Sequence, residues 1–366
     1  MRVAVVILNW NTKDYLRRFL PGLLQSLEGL DAEAIVADSA STDGSMEMMA
    51  EEFPAVRRIP LDRNYGFTGG YNRALSQVEA ECFVLLNSDI EVTQDWLRPL
   101  VEWMDSHPEC GICGSKLLSF QDRGSFEYAG AAGGLLDAYG YPFCRGRVLK
   151  KVDRDRGQYD SPSRVLWVSG ACLMIRSSLW KALGGLDDRF FAHMEEIDLC
   201  WRAQLRGQQV WVVPSSKVYH LGGGTLPASS PWKLELNYRN NLLLLENNLA
   251  MTYAARGSVP EKALRKASRL ILRRRILDLF SALAYCLMLK PSFAAAVVRG
   301  HRGYRRLRRA PELKEVERCH RGRPEVRGLS RVKILAASAC HGGKIFKWLD
   351  RHDGGECQNT ENKKVI

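Results

Sequence analysis

The sequence predicts an α/β fold: a mainly parallel sheet flanked by helices, with basic amphipathic helices added on the C-terminal side. Three observations lead there. Over the first 120 residues, short and wholly apolar runs alternate with segments of helical period. Acids stand directly after those runs, at the strand ends where open α/β sheets bind ligands. Finally, the positive surplus lies mostly after Arg256, so the N-terminal two thirds is near charge balance.

Residues 3–8 (Val-Ala-Val-Val-Ile-Leu) form the first continuous apolar run, as expected of a strand covered on both faces. Residues 15–27 carry apolar positions at helical spacing. A second strand, 34–37, ends on Asp38, and Ser41-Thr-Asp-Gly-Ser45 supplies turn and cap chemistry for a helix over 46–53. Residues 56–60 fit a short third strand, 66–80 a glycine-rich turn and helix, 82–86 a central strand, and 94–107 a helix. From 110 to about 158 the pattern loosens, with many glycines and a basic stretch over 145–156, and it reads as a flexible region. Order returns with a strand at 164–175, helices at 177–183 and 195–206, a strand at 209–213 and a helix at 237–249. Residues 260–309 are helical and basic around an apolar centre, 276–289, which is shorter than the roughly 20 residues that span a bilayer. That segment fits an interfacial element resting on a membrane, and it fits two ordinary packed helices equally well. The last 40 or so residues show little periodicity. The expected division is 1–250 for the main domain, 251–310 for the basic helical segment and 311–366 for a loosely ordered tail.

At 366 residues, with Lys+Arg 53 against Asp+Glu 41 and a formal charge of +12, the chain suits a polyanionic partner. The arginines interleave with aliphatic residues and no nucleic-acid module is present, so an anionic membrane surface is expected and nucleic acid is not. Ten cysteines lack framework spacing, and Cys82, Cys172, Cys200 and Cys286 sit in apolar runs, which fits buried free thiols. Cys110-Gly-Ile-Cys113 has no second pair at zinc-ribbon spacing. Met1-Arg2 leads straight into the first strand without a signal core. The expected location is cytoplasmic, peripheral on the inner face of the cell membrane.

The candidate chemistry lies at strand ends. Asp38 can accept a hydrogen bond from a ribose hydroxyl or a base N–H, while Asp43 and Ser45 are accounted for as caps. Asn64-Tyr-Gly-Phe-Thr-Gly-Gly-Tyr-Asn72 is a glycine-rich helix entry, lacking the P-loop and dinucleotide signatures. Asn87-Ser88-Asp89 follows an apolar strand, where a carboxylate suits a hard divalent cation, though an Asx-turn would also fit. Glu195 and Glu196 open a helix: one acid can sit at the helix start while its neighbour serves as a base. Asp198 is spaced i,i+4 from Arg202 for pairing. His220 ends another apolar run beside Gly222-Gly-Gly-Thr225, where a neutral imidazole could complete a metal site with Asp89.

Taken in order over about residues 1–250, these motifs resemble the family 2 inverting glycosyltransferases of the GT-A fold, especially the bacterial rhamnosyltransferase-like branch. The resemblance implies nucleoside contacts from Trp10 and Asp38 with Asn64 nearby, and donor contacts from Asn87 and Ser88 in a DXD-like segment. It also implies Mg²⁺ or Mn²⁺ held by Asp89 and His220, with Glu196 as catalytic base and Glu195 beside it. The implied reaction moves a sugar from a nucleotide-diphosphate sugar, dTDP-rhamnose or a UDP-sugar, to a hydroxyl of a glycan or lipid-linked acceptor. A non-catalytic sugar-nucleotide-binding partner of a polysaccharide assembly is the alternative, and a nucleic-acid-binding protein acting through the basic C-terminal region is a lesser one. Asn87 stands where the family's first DXD aspartate is found, and Glu196 where many relatives have Asp. These changes bear on metal affinity and on the reach of the base.

Overall fold

The computed structural model describes residues 1–222 and 230–352. The first third alternates as the apolar runs require: β1 (Val3–Asn9), α1 (Lys13–Ser26), β2 (Ala32–Asp38), α2 (Ser45–Glu52), β3 (Arg57–Pro60), α3 (Gly66–Leu75), β4 (Cys82–Leu86), β5 (Ile90–Val92) and α4 (Leu97–Ser106). Every residue of β4 is buried, as a strand covered on both faces must be. The cap reading of Asp43 holds, with Oδ1 accepting from the Ser45 amide at 3.0 Å and Oδ2 from the Lys13 amide at 2.9 Å. One short side chain therefore satisfies the starts of both α2 and α1.

The middle of the chain departs from the sequence reading. Residues 110–119, expected to be loose, form a ten-residue strand, β6 (Cys110–Ser119), buried in all but its last residue. Two features hide it. Gly111 and Gly114 dilute its apolar character, yet a Cβ on either would lie within 3.0 Å of Leu179 or Val168 side-chain atoms, so close packing selects glycine. Lys116 places a charge mid-strand, and its fully buried ammonium is matched by Asp155 at 2.8 Å and by Asp160. A second, four-stranded antiparallel meander follows: β7 (Gly134–Leu136), β8 (Pro142–Cys144), β9 (Arg147–Val148) and β10 (Lys151–Val152).

The strand expected over 164–175 is two pieces, β11 (Ser163–Arg164) and β12 (Cys172–Arg176). Between them the chain crosses from the sheet's edge toward its interior. The Val165 amide donates to Val210 O and the Gly134 amide to Trp167 O, so the run is buried without being one strand. Next come α5 (Ser177–Leu183), α6 (Glu195–Leu205) and β13 (Gln209–His220), the last running well beyond the expected 209–213. The main sheet is ordered β11-β13-β6-β12-β4-β1-β2-β3, with β5 paired to β13. β1 lies between β2 and β4, parallel to both, while β12 runs antiparallel between β4 and β6.

The C-terminal part is helical: α7 (Pro231–Ala255), α8 (Pro260–Leu287), α9 (Pro291–Leu307), α10 (Leu313–Gly322), α11 (Ile334–His341) and α12 (Ile345–His352). Each of the first three begins on a proline, whose missing N–H costs nothing there. α7 packs against α6, α8, α9 and α10. The tail expected to be loose is ordered as far as His352. Ile334, Ile345 and Leu349 form a small core with Leu135, Phe143 and Val148 of the meander. These helices are eight residues each, too short to be stable alone, and packing onto the meander stabilises them. Cys286 corrects another expectation, since it is exposed on α8, whereas Cys82, Cys110, Cys113, Cys172 and Cys200 are buried free thiols.

Candidate active site

Parallel strands deliver their C-terminal residues to one edge. The last pair in the β1–β2 register is Asn9 and Asp38. Both are buried, and Asn9 Nδ2 donates to Asp38 Oδ1 at 2.6 Å and lies 3.0 Å from Ser41 Oγ. The other Asp38 oxygen accepts from the Ser41 amide at 2.9 Å. Asp38 is therefore fixed in orientation, while Trp10, next to Asn9, remains 40% exposed with its ring open to a partner. Ser88 Oγ lies 2.9 Å from the Thr12 hydroxyl, which joins the β1 and β4 ends. The Asn87 amide donates to Ala171 O at 3.0 Å.

Asp89 and His220, 131 residues apart in sequence, meet at this edge with Asp89 Oδ1 3.1 Å from His220 Nε2. β13 brings them together by pairing antiparallel with β5, and the Leu221 amide closes the ladder onto Asp89 O at 3.0 Å. The other imidazole nitrogen, Nδ1, lies 3.3 Å from Glu127 Oε1. All three side chains are buried. Burial alone would discharge them, but the two carboxylates outweigh it and push His220 up to about 10. Burial likewise raises Asp89, yet the hydrogen bond and charge of His220 hold its carboxyl below the usual range. Two carboxylates converging on one imidazole make a site that stabilises positive charge; without a metal that charge is the proton on His220, and a cation bound by Asp89 and His220 Nε2 would take the place of that proton. Among the described residues, no three such side chains are arranged to hold a metal by themselves. A cation at Asp89 and His220 would therefore draw its other ligands from phosphate oxygens and water.

Glu195 and Glu196 begin α6, after three left-handed residues: Phe191 at φ 64°, His193 at 71° and Met194 at 72°. Non-glycine residues in that region cost about 1 kcal/mol or more each. Buried Asn240 of α7 holds the segment, its Nδ2 lying 2.7–3.0 Å from the carbonyl oxygens of Phe190, Ala192 and His193. The glycine-rich entry to α3 holds it from the other side. The Thr68 amide donates to Phe191 O at 3.2 Å, and a Cβ on Gly66, at φ +71°, would come within 2.6 Å of Phe191. Asn72 bonds the Leu186 amide and carbonyl at 2.9 and 2.8 Å. Asn64 Oδ1 accepts from the Gly66 amide at 2.8 Å, so its side chain shapes this turn.

Within α6 the acids have separate environments. Asp198 is fully buried and bound by Arg202 at 2.5 Å and by Asn247 and Asn248 at 2.9 Å, which bears out its pairing role. Glu195 Oε2 and Glu196 Oε2 are buried without a hydrogen-bond partner. Burial pushes Glu196 up to about 7, although backbone amides of its own turn pull it down. Glu195 is raised well above the ordinary range by burial and then by repulsion from Glu196. A Cβ on Gly170 would lie 3.4 Å from Glu196 Cβ, and the next residue, Ala171, accepts the Asn87 amide. The glutamate pair thus stands beside the Asn87–Asp89 turn. Trp10, Asp38, Asn87, Ser88, Asp89 and His220 share this edge, Asn64 shapes the entry to α3, and Glu195 and Glu196 stand together at the start of α6. Glu127 was not foreseen, because it sits in an irregular glycine-containing stretch without a strand or spacing signal. The glycine run that follows His220 lies, beyond Gly222, outside the described residues.

A family model described as "Glycosyl transferase family 2" matches residues 4–183. The N-acetylglucosaminyl-diphospho-decaprenol L-rhamnosyltransferase of Mycobacterium tuberculosis is 27% identical over 236 residues, covering 60% of this chain and 75% of that protein. The O-antigen biosynthesis protein RfbC of Myxococcus xanthus is 26% identical over 222 residues, 60% of this chain and 17% of that one. Among solved structures, GalNAc-T7 with UDP, GalNAc and Mn2+ superposes with a TM-score of 0.53 at 17% identity, over 77% of this chain and 57% of the other. That last likeness is one of fold.

Proposed function

The chain belongs to glycosyl transferase family 2, in its rhamnosyltransferase-like branch and with the GT-A fold, and from that premise we propose that it inverts the sugar it transfers, with Glu196 as the base. The observation that carries this reading is the carboxyl of half-buried Glu196, its Oε2 out of solvent without a partner and the acid pushed up to about 7, beside the Asn87–Asp89 turn. A base poised near neutrality can hold or release a proton at working pH.

The donor is a nucleotide-diphosphate sugar, dTDP-rhamnose or a UDP-sugar. The acceptor is a hydroxyl of a lipid-linked or glycan substrate in bacterial surface polysaccharide synthesis, worked on at the cytoplasmic face of the membrane. The lipid-linked or glycan acceptor in this reading is supported by the relatives, whose names specify a diphospho-decaprenol rhamnosyltransferase and an O-antigen protein. Trp10 offers an exposed ring for the nucleobase and Asp38 an oriented carboxylate for the ribose. Asp89 and His220 would hold Mg²⁺ or Mn²⁺, which would neutralise charge on the departing diphosphate. Glu196 Oε2 takes the acceptor's proton as its oxygen approaches the anomeric carbon opposite the leaving group. Glu195 and the Asn240 clamp fix the direction of the Glu196 side chain.

Glu196→Gln keeps size and removes the proton acceptor. Turnover should fall about 10²–10⁴-fold, with donor affinity by calorimetry nearly unchanged. If turnover is undiminished, the base lies elsewhere. If no turnover is found for the unaltered chain with any donor it binds, the non-catalytic reading takes its place.

A further inference from the structure

α8 spends one face on the fold: Ala263, Ala267, Arg274, Asp278 and Ala282 are buried. Its outer face changes character along its length. The first half exposes Arg265, Arg269 and Arg273, and beyond Arg273 every exposed residue of α8 is apolar. Ile276, Leu279, Phe280 and Leu283 are 46–63% exposed, and at the turn Leu287 and Leu289 reach 78% and 88%. α9 repeats the order in reverse, with exposed Ala295 and Val298 near the turn and exposed Arg302, Arg305 and Arg306 farther along. The hairpin is therefore mainly apolar toward its tip, where Lys290 of the turn is the one exposed charge, and basic at its base.

Residues 262–310 contain fourteen Lys and Arg and a single acid, Asp278. That acid is turned inward, with Arg274 Nε at 2.9 Å and His301 Nε2 at 3.2 Å. Arg274 also lies over the Tyr141 ring at 3.6 Å and reaches Gly140 O, which anchors the hairpin to the meander side of the molecule. At the base of the hairpin, exposed Glu261 and the pairs Arg299–Glu235 and Arg308–Glu246 offset part of the charge, while Arg265, Arg269, Arg273, Arg302, Arg305 and Arg306 leave the outer surface net cationic. At 1.5 Å per residue the apolar stretch from Arg273 to Leu287 is about 20 Å long, less than the roughly 30 Å of hydrocarbon in a bilayer. No described helix is long and apolar enough to cross a membrane.

We infer that the α8–α9 hairpin is a docking surface for an anionic lipid bilayer, with Leu287–Leu289 entering one leaflet and the α8 and α9 arginines meeting the headgroups. Charge complementarity selects this occupant. A second copy placed on the same face would bring two strongly cationic surfaces together, and the sequence after His352 offers few apolar residues to cover the tip. An apolar tip bordered by arginines matches an interface where tails, glycerol and phosphate succeed one another in depth.

The test is flotation of the full chain with phosphatidylcholine vesicles, with and without phosphatidylglycerol, at low and high salt. Binding should require phosphatidylglycerol and weaken with salt. Leu287→Ser with Leu289→Ser, at exposed positions and with an unchanged melting temperature, should weaken binding at least about tenfold. Arg302→Glu with Arg305→Glu should weaken it about fivefold or more per charge, on anionic vesicles alone. Several results would overturn the inference: equal binding to neutral and anionic vesicles, no effect of the leucine pair, or binding to oligonucleotides and not to vesicles. So would a dimer that the leucine variant dissolves, with no vesicle binding by either.

Discussion

Glu196 gives activity and stability opposite pH dependences, and one substitution separates them. The ordinary glutamate value is 4.5, and burial raises Glu196 to about 7. The folded protein therefore holds this proton more tightly than the unfolded chain does. Below about pH 4.5 both states are protonated and the residue costs nothing. As pH climbs to about 7 the unfolded chain ionises first, and above 7 the full cost of a buried carboxylate is present. At about 1.4 kcal/mol per pH unit, that rise corresponds to at most ~3 kcal/mol at pH 8. Glu196→Gln removes the cost, and it also removes the repulsion that holds Glu195 high. Chemical denaturation should show the variant as stable as the unaltered protein near pH 4.5 and about 1–3 kcal/mol more stable at pH 8. In the unaltered enzyme, kcat/KM should rise with pH and level off above about 7, when Glu196 is ionised. A variant that is less stable at pH 8, or a rate plateau reaching below pH 5, would refute the reasoning. A gain in stability with loss of turnover is what a site strained for function predicts.

Asp89→Ala should abolish metal-dependent nucleotide binding in calorimetry while the fold survives, and full activity in excess chelator would remove the metal from the account. Glu195→Gln should lower turnover less than Glu196→Gln, and the reverse order in steady-state rates would exchange their roles. Gly134→Ala should destabilise the protein by about 1–3 kcal/mol in denaturation, because the added Cβ would meet the Trp167 ring at 1.9 Å.

The βα alternation was legible because each strand is a short run buried on both faces, so composition alone reveals it, as in Cys82–Leu86. Asp38 and His220 stood out in the sequence as strand ends, Asp89 as a turn residue after β4 and Glu196 as a first-turn helix residue, and strand ends converge in this fold. Two strands were not. Gly111, Gly114 and Lys116 make β6 read as a loop, and only tertiary contacts with Leu179, Val168 and Asp155 show why those residues belong in a sheet. β13 carries Pro214, Ser215 and Ser216 mid-strand, which cut the apolar pattern short, and its ladder shifts register there. Glu127 was invisible because its value comes from meeting His220 across the fold. The Asn64–Asn72 segment was seen as a glycine-rich entry. Its grip on residues 186–191 could not be, since nothing local records a partner more than a hundred residues away.

The central claim is direct displacement with Glu196 as base, and the anomeric configuration of the product tests it most directly. A donor of known configuration, turned over by the full chain, yields a glycoside whose one-bond C–H coupling at the anomeric carbon reports its hand. The account predicts a product inverted relative to the donor, formed at a rate that Glu196→Gln cuts about 10²–10⁴-fold. A retained configuration would contradict it.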